Sequence, residues 1–361
     1  NLRHRCHTCQ FDPAGKEPHM PSEVHFADWS NVKALSIGNV VNLSDGRIEV
    51  RFRLFDTIKN AEILGLAVAA KSDSMRAVAH RISDLIYKKL TNNPGVFSTR
   101  IAYVNRQGKH NRILVADSDG YGEQTLVASE QPITSPAWAP DGRLIAYTSF
   151  EKGRSLAYVQ SLVSGQRILL SAVPEGASAP AWSSDGQQIA LASTDSSSSH
   201  IYLVRPDGTD LRQITSGDAR DDEPNFSPDG KSLIFTSNRN GKVQIYRMPI
   251  TGGGIEQITS EGDGNFTPRY SKDGKSFVFS HWKGGQFYIA MYDFETKSIR
   301  ILTPGGVNKK PSFSPNDEQI IFAVSTNGRE MLEIISRESG STSKMYSRNG
   351  DIGEPAWGGI K

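Results

Sequence analysis

A small α/β domain, incomplete at its start, followed by an all-β six-bladed propeller closed by the C-terminal strand is the fold class this sequence predicts, on three observations. The first is a repeated motif. Pro136-Ala-Trp-Ala-Pro-Asp-Gly142, followed by the apolar run from Leu144, recurs at Pro180, Pro224, Pro268 and Pro311, and a sixth copy opens at Pro355. The second is its period: successive prolines are 44, 44, 44, 43 and 44 residues apart. The third is the content of each period. From Glu223 to about Asp263 four short β-type segments alternate with turns: 224–226, 233–236, 244–248 and 256–259. Four antiparallel strands in about 40–50 residues are the signature of a propeller blade.

Each element has its own reason. Residues 1–30 are rich in His, Pro and charge and carry little periodicity. An apolar stretch 34–43, the Ser44-Asp-Gly46 turn and the alternating run 48–55 read as a hairpin, and 63–69 as a third strand after a turn at Lys59-Asn60. Apolar Met75, Val78, Ile82, Leu85, Ile86 and Leu90 follow helical spacing, with Ser72 or Asp73 as the expected cap and Asn92-Asn-Pro-Gly95 as the stop. Residues 1–96 therefore read as the α/β domain and 97–361 as the propeller.

Within the propeller, the aromatic after each proline (Trp138, Trp182, Phe226, Tyr270, Phe313, Trp357) is expected to fill the wedge between blades. In the Pro-Asp-Gly turn, Pro fixes φ, Asp bonds the backbone and Gly takes the left-handed corner. The second-strand segment at Ile101 has no Pro-x-aromatic strand before it, and Pro355-Ala-Trp357 has no second strand after it. Joining these two orphans closes the ring.

Composition narrows the function classes. With 361 residues, 37% of them hydrophobic, the chain is long enough for a substantial core. Lys and Arg exceed Asp and Glu by 14 to 10 in residues 1–100 and fall short by 27 to 29 in the rest, so a basic footprint for nucleic acid is missing. No run of about 18 apolar residues is present, so the chain is peripheral to a membrane at most. The first residue is Asn1, with no Met and no charged-then-apolar leader, which reads as a trimmed product whose export signal is not visible.

No cofactor is expected. Cys6-His-Thr-Cys9 with His4 has the spacing of half a zinc site, but a second ligand pair is absent, and His19, His25, His80, His110, His200 and His281 are scattered. A disulfide between the two cysteines, or no special role, remain the other readings. No nucleophile elbow, His-Glu-x-x-His helix or phosphate loop is found. Thr251-Gly-Gly-Gly254 is a turn with no helix after it, Ser196–Ser199 reads as a flexible hairpin tip, and His200 and His281 read as ordinary histidines beside strands. No catalytic or metal-binding residue is assigned.

The segments leading into each inner strand are short, polar and varied where the turns are repeated, and they converge on one axis, as a partner-binding rim requires. The candidate partner-binding residues are Thr134, Ser135, Gly176, Ser178, Ala179, Asp221, Asp222, Glu223, Asn265, Thr267, Asn308 and Glu354. Asp218, Asp221, Asp222 and Glu223 lie close in sequence but lack the alternate spacing of a calcium loop, and a solvated acidic loop is the expectation.

The repeat, the junction Phe97-Ser-Thr-Arg-Ile-Ala-Tyr-Val104, Val115-Ala-Asp-Ser-Asp-Gly-Tyr121 and Ile133-Thr-Ser-Pro-Ala-Trp138 resemble, in order and spacing, the TolB family of Tol-Pal propeller proteins. Trp29, the Ser44-Asp-Gly46 hairpin and the 73–91 helix match its N-terminal domain, so the resemblance covers roughly residues 10–361. It implies a periplasmic, non-catalytic adaptor. A Pal-like lipoprotein would sit at one mouth of the channel, in support of outer-membrane integrity and cell division. It also implies a TolA-like inner-membrane partner, although the first strands and helix of the α/β domain and the TolA-binding extension are missing from this sequence. A monomer is expected. Two other classes remain: a propeller sensing a small ligand such as a glycan, and the accessory propeller of a hydrolase.

Overall fold

The computed structural model describes residues 20–170, 173, 176–194, 197–345, 347 and 349–360. The readings placed on His4, Cys6, Cys9 and His19 lie outside these residues. The chain divides into two compact units, Asn1–Ser98 and Thr99–Lys361. Among the described residues no helix is long and apolar enough to cross a membrane.

In the first unit, β1 (Ala34–Asn42), β2 (Ile48–Asp56) and β3 (Ala61–Ala70) form an antiparallel sheet in sequence order, and α1 spans Met75–Thr91. Strand alternation sends Phe52 and Leu54 to one face, where they pack with Ile86 and Ile82 of α1. Asn92 ends the helix with φ +63° and an N–H bond to the Lys88 carbonyl, 2.9 Å. The start differs from expectation. Ser72–Ser74 form a 3-10 turn, and the cap position falls on Ser74 without a side-chain bond to the helix. Its hydroxyl instead donates to Asp73 Oδ1 at 2.9 Å. Asp84 of α1 accepts the N–H groups of Phe97 and Ser98 at 2.8 and 3.0 Å.

The second unit is a β-propeller. Its strands run inside to outside as Ile133–Trp138, Leu144–Ser149, Leu156–Ser161 and Arg167–Leu169 in one sheet, and Ser178–Trp182, Ile189–Thr194, Ser199–Val204 and Arg212–Gln213 in the next. Asp221–Phe226, Ser232–Ser237, Gln244–Pro249 and Glu256–Gln257 form a third. Gly264–Tyr270, Ser276–Lys283, Gln286–Asp293 and Ser298–Ile301 are joined to Val307–Phe313, Gln319–Thr326, Arg329–Ser336 and Thr342–Met345 by a single parallel pair, Phe287 with Val307. Asp351–Ile360 pairs antiparallel with Thr99–Gln107, which is followed by His110–Asp117 and Gln124–Ser129.

Neighbouring residues on one strand serve different interfaces. Ile145 packs with Ala102, Val104 and Ile113 of the preceding sheet, whereas Ala146 packs with Trp182, Ile189 and Leu191 of the following one. Period-two alternation thus buries both faces of the middle strands of the propeller sheets, such as Leu144–Ser149. Each fully buried Ile, Leu or Phe contributes roughly 1.5–3 kcal/mol.

The repeated turns form as the motif requires. Gly142, Gly186, Gly230 and Gly274 sit at φ +68° to +70°, and each donates its N–H to the residue three back at 2.9–3.0 Å. In the later copies the serine at the start of the turn adds a second lock. Ser183, Ser227 and Ser271 each donate to the turn aspartate at 2.6 Å. In the serine run near 197, Ser198 and Ser199 are buried, and Ser199 begins a strand and pairs with Thr194 at the end of a hairpin. Residue 196 lies outside the described set.

Candidate functional site

Six inner strands meet around one cavity. Ile133–Trp138 neighbours Ser178–Trp182, which neighbours Asp221–Phe226, and so on through Gly264–Tyr270, Val307–Phe313 and Asp351–Ile360, which neighbours Ile133–Trp138 again. Each carries the same irregularity. Asp222 pairs with Thr236 and Asn225 with Ile234, so three steps on the inner strand face two on its partner. This bulge recurs at Thr134/Ala137, Ser178/Ala181, Phe266/Arg269, Lys309/Ser312 and Gly353/Ala356. Proline has no N–H to give to a ladder, so a break in pairing is where it fits.

The residue before each proline absorbs the extra step. Ser135, Ala179, Glu223, Thr267, Lys310 and Glu354 all adopt φ between +49° and +55°, a left-handed conformation that costs a side-chain-bearing residue about 1–2 kcal/mol. All six line the cavity, whose volume is about 190 Å³, together with Asn225, Arg269 and Ser312. The expected loops are therefore the first residues of the strands themselves. Polar backbone that pairs in a ladder is more stable there than in a free connection.

Bonds between adjacent inner strands hold these positions. Glu223 Oε2 accepts the Thr267 N–H, and Glu354 Oε2 accepts the Ser135 N–H, each at 2.6 Å. Glu354 also pairs with Lys310 Nζ at 2.9 Å and with Arg106 Nη2 at 2.6 Å, while Arg106 reaches Glu330 at 3.0 Å. The Trp182 indole donates to the Ala137 carbonyl and the Trp138 indole to the Ala356 carbonyl, at 3.1 and 3.0 Å. Trp138 also needs Gly358 beneath it, where an added Cβ would stand 2.4 Å from the ring.

Electrostatics follow from enclosure. Burial, reinforced by the neighbouring Asp222 charge, pushes the Glu223 carboxyl up to about 7, against the opposing pull of the Thr267 amide, Arg269 and Lys310. Burial also raises Asp222 and lowers Arg269. The acidic segment is thus a solvated loop only at Asp218, which is exposed, whereas Asp221, Asp222 and Glu223 lie in a strand. Asp221 is fully buried and ion-paired to Arg239 Nη2 at 2.7 Å.

Of the sequence-predicted residues, Ser135, Ala179, Glu223, Thr267 and Glu354 converge on the cavity, and Thr134, Gly176, Ser178, Asp221, Asp222, Asn265 and Asn308 do not line it. Asn265 is a buried brace: its amide donates to Gln244, Thr259 and the Glu261 carbonyl, and its oxygen lies 2.7 Å from His281 Nδ1. Asn308 likewise ties the Phe287 and Pro304 carbonyls. Sequence reasoning missed Lys310, Asn225 and Arg269. Lys310 precedes its proline as Glu223 does, and Asn225 and Arg269 each follow one, so alignment of the six copies on proline carries the missing signal.

A family model for the TolB beta propeller domain matches residues 87–361, and one for the TolB amino-terminal domain matches residues 7–63. The Tol-Pal system protein TolB of Methylobacillus flagellatus is 58% identical across 95% of this chain and 80% of its own length. The protein of that name from Nitrosomonas europaea is 55% identical across 96% of this chain and 82% of its own. The crystal structure of TolB from Acinetobacter baumannii matches with a TM-score of 0.87 at 31% identity, covering 96% of this chain and 88% of that one. On its repeat, its propeller fold and these likenesses, the chain belongs to the TolB family of the Tol-Pal system.

Proposed function

We propose that the chain is a periplasmic adaptor that holds a Pal-like peptidoglycan-associated lipoprotein at one mouth of a six-bladed ring, in support of outer-membrane integrity and cell division. The strand Asp351–Ile360 closes that ring. The observation that carries the reading is the convergence of six inner strands, each pinned to a neighbour, on one cavity. A surface held this firmly loses little ordering entropy when a folded partner docks. The work is binding, with no chemical step. A TolA-like protein is the second partner in the complex, and no described residue is assigned to it.

The mouth lies at the leading ends of the inner strands. There Trp282, opposite Gly264 in the ladder, is 37% exposed and stacks on Phe287 at 6.0 Å, with Lys309 Nζ 4.1 Å above the same ring. A rigid, half-exposed aromatic is the type of residue that anchors interfaces. Titration calorimetry of the purified chain against a Pal-like domain tests the reading. Specific binding is expected, and Trp282→Asp should weaken it at least about tenfold, near 1.4 kcal/mol. Absence of binding by the folded chain, or turnover of ester or peptide substrates, would overturn the adaptor reading.

A further inference from the structure

Four charged side chains line the central cavity: Glu223, Arg269, Lys310 and Glu354. Three have partners across strands. Glu354 is fully engaged by Arg106, Lys310 and the Ser135 amide, which also accounts for Lys310, and Glu223 takes the Thr267 amide. Arg269 stands apart. Its Nη1 donates to the carbonyl of its own neighbour Pro268 at 2.8 Å, and among the described residues it makes no ion pair, only a longer-range attraction to Glu223. A guanidinium carries five N–H donors in a planar fork suited to carboxylate or phosphate oxygens. Arg269 is part-buried at the cavity wall, so its remaining donors stay open to an anion that enters.

The cavity sets the size of that partner. About 190 Å³ is well below the ~300–1,000 Å³ of drug-sized sites, and Ala137, Ala181, Ala356 and Ser312 keep its walls small. Room remains for an acid of a few heavy atoms. We infer that the central cavity is a binding site for a small oxyanion, a carboxylate or a tetrahedral anion, held by the Arg269 fork. The cavity is lined by the leading ends that form the mouth, but its test uses small anions alone, so its failure leaves the adaptor reading standing.

Occupancy is linked to protons through Glu223. The groups facing it are Asp222 on its own strand, Arg269 on the next, Lys310 and Glu354 on the fifth and sixth copies, and Arg220 nearby; the Ser135 and Ala179 strands place no charged group in the cavity. With the carboxyl pushed up to about 7, protonation near neutrality removes a negative charge from the cavity and turns an acceptor into a donor. Anion and proton therefore enter together.

Calorimetric titration of the full chain with malonate and with selenate, at constant ionic strength and at about pH 6 and about pH 8, tests the site and separates carboxylate from tetrahedral anion. Binding of at least one is expected, weaker by about tenfold at the higher pH as Glu223 ionises. Arg269→Gln should weaken it at least about tenfold, and Glu223→Gln should remove the pH dependence while keeping binding. Should Arg269→Gln fail to fold, crystals of the unaltered chain soaked in selenate give the answer. An anomalous peak within hydrogen-bond distance of Arg269 supports the site, and density elsewhere or nowhere refutes it. No binding by the unaltered chain at about pH 6, or binding indifferent to Arg269→Gln, overturns the inference.

Discussion

The two ends of an inner strand obey the same 44-residue rhythm and use it for opposite purposes. At the trailing end, the turn repeats its chemistry as well as its place in most copies: serine bonds aspartate in three, glycine takes φ near +70° in four, and the loop closes at 2.9–3.0 Å. At the leading end, the bulge repeats only its backbone. φ stays near +50° while the side chain changes from Ser to Ala, Glu, Thr, Lys and Glu. A fixed backbone with free side chains lets one scaffold present an asymmetric cavity without altering its ladder.

The largest effect tests whether the leading end is functional throughout. Asp221 lies there yet is buried against Arg239, so Asp221→Ala should cost about 3 kcal/mol in urea denaturation by removing the partner of a guanidinium that is only 22% exposed. A loss below about 1 kcal/mol would return Asp221 to the set of surface residues.

Next comes Glu223. Its folded carboxyl sits near 7, above the ordinary glutamate value of 4.5, so it favours the folded state fully below about pH 4.5 and loses that contribution as pH rises through about 7. Over that window the loss is roughly 3 kcal/mol. Glu223→Gln should flatten most of the decline in melting temperature, with a residue of slope from Asp222, which burial shifts the same way. An unchanged slope would mean that the cavity does not enclose this group.

The smallest effect belongs to the trailing end. Ser227→Ala removes a buried hydroxyl that donates to Asp229 and accepts the Ser232 amide at 3.0 Å, and should cost about 1–2 kcal/mol with no change in partner affinity. A change in affinity would blur the contrast between the two ends.

Much of this was legible because a repeat states each rule several times. The turn, the wedge aromatics and the buried alternation at Ile145 and Ala146 follow from the motif and period two. The bulge was not legible, because an extra residue and a proline interrupt the alternation by which strands are read, and the segment then resembles a loop. Asp221, Asn265 and Asn308 looked like rim residues for the same cause: polar side chains at a strand end give no sign of which way they turn. Arg269 and Lys310 became candidates only once the six copies shared a cavity.

The pairing of Asp351–Ile360 with Thr99–Gln107 also sets an order of events in folding. The Trp357 indole bonds Thr99 across 258 residues of chain, at 2.8 Å. Until Asp351–Ile360 arrives, the strand Thr99–Gln107 keeps its inner edge unclaimed and open to association with other chains. A binder that covers that edge until Asp351–Ile360 docks would keep the chain from pairing with its neighbours.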